Sequence, residues 1–201
     1  MSKEIELKVT VPDHAEATAA LEGAGAEHVG AMVQTDRFFD TPEKALRGSD
    51  RGLRIRTVEH LSGWGAEADA RAVVTFKGPR EAASGVKIRA EHETRVDDEE
   101  ALVWVFQACG LKPMLTIQKR RTTWRLDECL VELDELPAIG CFVEIEGPDE
   151  AAVDAVRAKL GLTGEGITDS YAAMLDAHYG GLPAGAEVTL ADGGLRTTAG
   201  P

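Results

Sequence analysis

The sequence contains no asparagine, so it offers no N-glycosylation acceptor. Cysteine is scarce: Cys109, Cys129 and Cys141 form an odd set with no CxxC spacing. That argues against a disulfide framework and a thiolate metal site, and reads as reduced, mostly buried thiols. Long apolar runs are missing as well. The chain starts directly on alternating charge at Lys3-Glu4-Ile5-Glu6, without the apolar core of a signal peptide, and no later stretch is long enough to span a bilayer. The expected location is cytoplasmic, with no membrane partner.

Positive charge is the scarcer sign: Lys plus Arg is 22 against 35 for Asp plus Glu, a formal net charge of −13. This argues against a general nucleic-acid binder, whose contact face carries net positive charge. It leaves room for a small anion, because local arrangement decides what a pocket holds. No GxxxxGK[ST] occurs, and Gly23 and Gly25 follow a helical stretch, so neither a Walker-type loop nor a dinucleotide fingerprint is present. The histidines (His14, His28, His60, His92, His178) are scattered without metal-ligand spacing.

What is abundant is alternation with period 2. Strands are expected over Lys3–Val11, His28–Phe39, Gly52–Glu59, Arg71–Lys77, Gly85–Val96, Met114–Leu126, Cys129–Asp134 and Phe142–Glu146. Helices are expected over Asp13–Gly25, Asp97–Gly110 and Pro148–Gly161, from acidic or Pro starts and Gly ends, and over Ser170–Tyr179 as a last amphipathic helix. His60–Ala70 reads as a loop. From Gly180 the chain is Gly-, Ala- and Pro-rich, so residues 1–179 are expected to form one domain and 180–201 a disordered tail.

Parity sorts the charges. Successive strand residues face opposite sides. Glu4, Glu6 and Lys8 thus oppose Ile5, Leu7 and Val9; Arg54 and Arg56 oppose Leu53 and Ile55. Lys87, Arg89, Glu91 and Glu93 share a face, as do Lys119 with Arg121, Glu132 with Asp134, and Glu144 with Glu146. Any one of these strands could simply wet its charges. The set differs, because many pairs at i and i+2 have the same sign and require an opposite cluster nearby. Serine and threonine, common on solvated sheet faces, are few on these faces. With amphipathic helices available to cover the apolar side, the expected fold is α+β: a closed antiparallel β-barrel of about eight strands, charged inside, with helices packed outside. Clustered carboxylates suit a hard cation, and clustered Arg and Lys suit phosphate oxygens.

At Glu4-Ile5-Glu6-Leu7-Lys8 the chain resembles the ExExK signature of the CYTH superfamily, which unites class IV adenylate cyclases, thiamine triphosphatases and related triphosphate tunnel enzymes. The likeness extends over residues 3–176. It includes Phe39-Asp40-Thr41-Pro42, Leu53-Arg54-Ile55-Arg56, Thr75-Phe76-Lys77-Gly78-Pro79, Arg89-Ala90-Glu91, Lys119-Arg120-Arg121, Leu133-Asp134-Glu135, Gly140 to Glu146, and Ser170-Tyr171. The resemblance implies that Glu4, Glu6, Glu144 and Glu146, with Asp134 as a further candidate, hold Mg²⁺ or Mn²⁺. It implies that Lys8, Arg54, Arg56, Lys77, Arg89, Lys119 and Arg121 bind the triphosphate, with Glu4, Glu6, Lys8 and Lys77 in catalytic roles. Some members use a second-strand Tyr beside a Lys; here Phe38 stands at the matching place.

The implied activity is hydrolysis of tripolyphosphate, thiamine triphosphate or another triphosphate. The alternatives are a class IV adenylate cyclase acting on ATP and a non-catalytic polyphosphate- or nucleotide-binding module. Either a monomer or a homodimer is compatible with a closed barrel.

Overall fold

In the computed structural model, residues 2–63, 72–81, 87–191 and 193–197 are described. The elements run β1 (Ser2–Val11), α1 (Ala15–Gly23), β2 (Glu27–Asp40), α2 (Ala45–Gly48), β3 (Gly52–Ser62), β4 (Ala72–Glu81) and β5 (Lys87–Val96). They continue with α3 (Glu99–Ala108), β6 (Lys112–Leu126), β7 (Cys129–Leu136), β8 (Gly140–Glu146), α4 (Glu150–Lys159), α5 (Tyr171–His178), β9 (Ala186–Val188) and β10 (Leu195–Thr197). All the expected strands and helices form over their described residues; Arg71, Gly85 and Val86, where two expected strands begin, lie outside them. The expected loop over His60–Ala70 begins later, since β3 runs to Ser62, and its remainder from residue 64 lies outside the described residues.

The strand order β6-β2-β3-β4-β5-β1-β8-β7 returns to β6 through the β6–β7 pairing, and every neighbour in that ring is antiparallel. The sheet is therefore a closed eight-stranded barrel. Alternation decides what each face meets. Leu7 and Val9 of β1, Val131 and Leu133 of β7, and Val143 and Ile145 of β8 point outward, where α1 (Leu21) and α4 (Val153, Val156) bury them. On another side, α3 brings Leu102 and Phe106 over Phe39, Ile55 and Ala72. Asp98 and Asp149 cap α3 and α4 by accepting from the backbone N–H of Ala101 (2.9 Å) and Ala152 (2.8 Å).

The inward face is not polar throughout. Leu115, Ile117, Leu136 and Phe142 share parity with the charged residues of their strands, yet they cluster around Leu175 of α5. Helix α5 thus stoppers one part of the lumen with apolar side chains. Ser170 caps it by accepting from Ala173 N–H at 3.2 Å, which sets Tyr171 at its first turn.

The described residues beyond Gly180 (181–191 and 193–197) differ from the expected tail. Gly180 and Gly181 take φ of +69° and +113°, values that a side chain disfavours, and turn the backbone away from α5. Strand β9 then pairs in parallel with Leu115–Ile117 of β6, beside the stretch of β6 that β7 leaves uncovered. Ala186 and Val188 are fully buried there, which is why the segment is ordered despite its composition. No helix among the described residues is long and apolar enough to cross a membrane.

Candidate functional site

The lumen opens into a cavity of about 710 Å³ to which every strand of the ring contributes. Strand β1 supplies Glu6 and Lys8, β3 Arg54 and Arg56, β4 Lys77, β6 Lys119 and Arg121, and β8 Glu144 and Glu146. Each does so by parity, because its outward neighbours are the apolar residues held by the helices.

Arg121 is the centre of the charge network. Its guanidinium donates to both carboxylate oxygens of Asp134 (2.6 and 2.5 Å), to Glu144 (2.5 Å) and to Glu132. Lys119 Nζ donates to Asp134 at 2.8 Å, and Tyr171 donates its hydroxyl to the same carboxylate at 2.9 Å. Lys8 Nζ lies 3.2 Å from Glu144 and donates to Asp169 C=O at 2.9 Å. Both ammonium groups sit over the Tyr171 ring, Lys8 at 4.1 Å and Lys119 at 4.9 Å from its centroid, within cation–π range.

On the adjoining strands β2 and β3, Arg56 grips Asp36 with two hydrogen bonds of 2.6 and 2.8 Å, and Arg54 approaches the same carboxylate at 3.4 Å. Arg54 Nε is buried without a hydrogen-bond partner among the described residues. A buried donor of that kind is rare and calls for a water, an ion or a ligand as partner. Lys77 pairs with Glu91 at 3.1 Å.

Burial and neighbours tune these groups in opposite directions. Burial pushes the Lys119 ammonium down, Arg121 pushes it further, and Asp134 and Glu144 only partly restore it, leaving a pKa of about 8. Burial raises Asp36, but the Arg56 and Arg54 guanidiniums outweigh that and hold it well below the usual carboxylate range. Asp134 behaves alike, burial being outweighed by Arg121 and Lys119. Burial lifts Glu132 despite Arg121, and it lifts the Tyr171 phenol, with Glu144 and Asp134 adding to the effect.

The expected residues do not all share one situation. Glu6, Lys8, Arg54, Arg56, Lys77, Arg89, Lys119, Arg121, Glu144 and Glu146 all line the cavity. Glu4 lies on β1 opposite Arg89 in the register, but its side chain falls outside the described residues. Arg89, expected to bind phosphate, commits its guanidinium to backbone carbonyls, donating to Gly78 and, at 2.9 Å, to Asp50. It fastens the β4 irregularity to the β2–β3 connection. Asp134, expected as a metal candidate, is wholly enclosed and has its oxygens taken by Lys119, Arg121 and Tyr171, so it is a counter-ion. Two groups escaped the sequence reading: Asp36, whose strand shows no same-sign pair, and Tyr171, which only the family ending had marked.

A divalent ion finds suitable chemistry here, since the candidate donors are all carboxylate oxygens. Glu6 and Glu146 are register partners across β1 and β8, and Glu144 stands opposite Lys8. Among the described residues no three or more His, Cys, Asp or Glu side chains already form a metal cluster. Glu144 would exchange its Lys8 and Arg121 contacts for a metal contact.

The CYTH domain matches residues 2–171, which contain all eight strands of the barrel. This chain belongs to the CYTH domain family. Within reach of it is a Methanocaldococcus jannaschii protein provisionally named an adenylate cyclase, 27% identical over 143 residues, which cover 71% of this chain and 75% of that one. The adenylate cyclase CyaB of Aeromonas hydrophila is 28% identical over 165 residues, covering 78% and 76% respectively. Among solved structures, a Hippeastrum protein provisionally assigned as an adenylyl cyclase, and found to have a dominant triphosphatase activity, superposes with a TM-score of 0.65. It is 19% identical and is matched over 89% of this chain and 97% of its own, a likeness of fold. The CYTH barrel accounts for several of the same-sign pairs along the strands: Asp134 of β7 meets Lys119 and Arg121 of the neighbouring β6, Glu132 meets Arg121, and Glu144 of β8 meets Lys8 and Arg121.

Proposed function

We propose that this CYTH protein is a divalent-metal-dependent enzyme that grips a triphosphate in its lumen and hydrolyses the terminal phosphate of an inorganic or organic triphosphate. The observation that carries the reading is the convergence of Lys8, Arg54, Arg56, Lys119 and Arg121 on one cavity, with Arg54 Nε still unused among the described residues. The arginines supply paired donors matched to phosphate oxygens. Asp36 and Asp134 hold those donors in place before substrate arrives, so a triphosphate takes over contacts already aimed into the lumen.

Glu6, Glu144 and Glu146, joined by Glu4, would hold Mg²⁺ or Mn²⁺, whose Lewis acidity offsets charge on the phosphoryl oxygens. Water attacks the terminal phosphorus while the bond to the bridging oxygen breaks. The electron pair leaves with the departing diphosphate or its ester, and the proton passes to a lumen carboxylate. Arg56 and Arg121 stabilise the charge on the equatorial and departing oxygens. The names of the relatives favour a second reading, in which the same grip serves ATP cyclisation with pyrophosphate as the departing group. Steady-state kinetics test the shared core of both: Glu6→Gln should lower kcat by orders of magnitude in a folded protein, and Arg56→Ala should chiefly raise KM. Unchanged kcat in the first would remove Glu6 from the metal site. An unchanged KM in the second would remove Arg56 from the phosphate site.

A further inference from the structure

One wall of the cavity carries no charged group. Phe38 of β2, Leu115 of β6, Tyr171 and Ala172 of α5, and Leu182 line the same space as the cations. They also form the lumen-facing edge of the apolar cluster around Leu175. Leu182 lies beyond the region matched to the family, which stops at residue 171. Its position is nevertheless fixed from both sides. Upstream, Leu182 N–H donates to Asp176 Oδ1 at 2.8 Å, and the other oxygen of Asp176 accepts from Arg47 of α2 at 2.6 Å. Downstream, Gly185 N–H donates to Met114 C=O at 2.9 Å and β9 locks onto β6.

Charge and desolvation make this wall selective. Tripolyphosphate carries ionised oxygens at both ends and the greater total charge, so attraction to the lumen cations alone favours it over a triphosphate ester. Pressed against Phe38, Leu115 and Leu182, however, its second end would lose water and gain no hydrogen bonds. An ester places carbon or an aromatic ring there, where contact with an apolar surface is favourable.

We propose that this wall, completed by the segment around Leu182, is a specificity subsite for the organic group of a triphosphate monoester, and that flat heterocyclic esters are preferred over tripolyphosphate. The inference rests on the triphosphate reading above. The experiment is calorimetric titration of the full chain, with chelator present to prevent turnover, using tripolyphosphate, ATP and thiamine triphosphate. The readout is the ratio of the Kd for tripolyphosphate to that for each ester, in the native protein and in Leu182→Ser and Leu182→Ala. The native ratio should be on the order of ten or more for at least one ester, the discrimination that a small apolar contact supplies. Both variants should bring that ratio towards one by weakening the ester, and whichever variant folds serves. Binding of none of the three compounds would overturn the triphosphate reading and this subsite with it. Binding of all three with tripolyphosphate equal or tighter would overturn the subsite alone. An ester preference that neither Leu182 variant reduces would likewise overturn the assignment of this wall.

Discussion

Replacing Asp134 by Asn tests the electrostatic design of the lumen. The side chain has no exposed surface and takes hydrogen bonds from Lys119 Nζ, Arg121 Nε and Nη2, and the Tyr171 hydroxyl. Asparagine keeps the shape and removes the charge, leaving Glu132 and Glu144, the latter already beside Lys8, to balance Lys119 and Arg121. Removing one partner of a buried pair costs about 3–5 kcal/mol, because the other charge stays desolvated. For a chain of this length 1 kcal/mol moves Tm by about 2–4 °C, so the variant should melt about 6–20 °C lower. The same imbalance favours a polyanion, which restores the lost negative charge. Tripolyphosphate should therefore raise the Tm of Asp134→Asn by more than it raises that of the native protein. Circular dichroism melts with and without tripolyphosphate measure both quantities. A fall below about 2 °C, under what 1 kcal/mol would produce, or a smaller ligand-induced rise in the variant, would refute the counter-ion role.

Other consequences follow from the same geometry. Lys119, pushed down to about 8, is charged below that pH and loses its charge above it. In the free enzyme kcat/KM for a triphosphate should fall as pH rises through about 8, and Lys119→Arg should remove that limb; a flat profile to pH 9.5 or so would contradict it. Asp36 is held below its ordinary value, so its pairing with Arg56 and Arg54 stabilises the fold above the unfolded pKa near 3.8, and that stability drains away as pH falls further. Asp36→Asn should accordingly flatten the acid limb of a stability-against-pH curve while lowering stability at neutral pH, both read from urea midpoints. Val188→Asp buries a charge where β9 packs against α5, and should cost about 3 kcal/mol or more in urea unfolding, whereas in a disordered tail it would cost nothing.

The barrel was legible because its signal is long: each ring strand carries enough alternation for parity to separate Leu7 and Val9 from Glu6 and Lys8. Strand β9 was not, since Ala186–Val188 is too short to alternate and its pairing with β6 is a matter of tertiary contact. Parity places a residue on the lumen face but cannot say what it meets there. Arg89 has the parity of the lumen-facing bases, yet the irregularity between Lys77 and Arg80 brings the Gly78 carbonyl within its reach. Asp134 has the parity of a metal ligand, and only the convergence of Lys119, Arg121 and Tyr171 from other elements makes it a counter-ion. Asp36 left no mark because it stands between Thr35 and Arg37, with no like-charged neighbour two residues away to demand an opposite cluster.

The most direct measurement is phosphorus NMR of the purified protein with Mg²⁺ or Mn²⁺ and, in parallel, tripolyphosphate, thiamine triphosphate and ATP. Hydrolysis in the lumen predicts orthophosphate with the matching diphosphate, no cyclic AMP, and loss of the signal in Glu6→Gln. Cyclic AMP with pyrophosphate from ATP, or no product from any of the three, would contradict it.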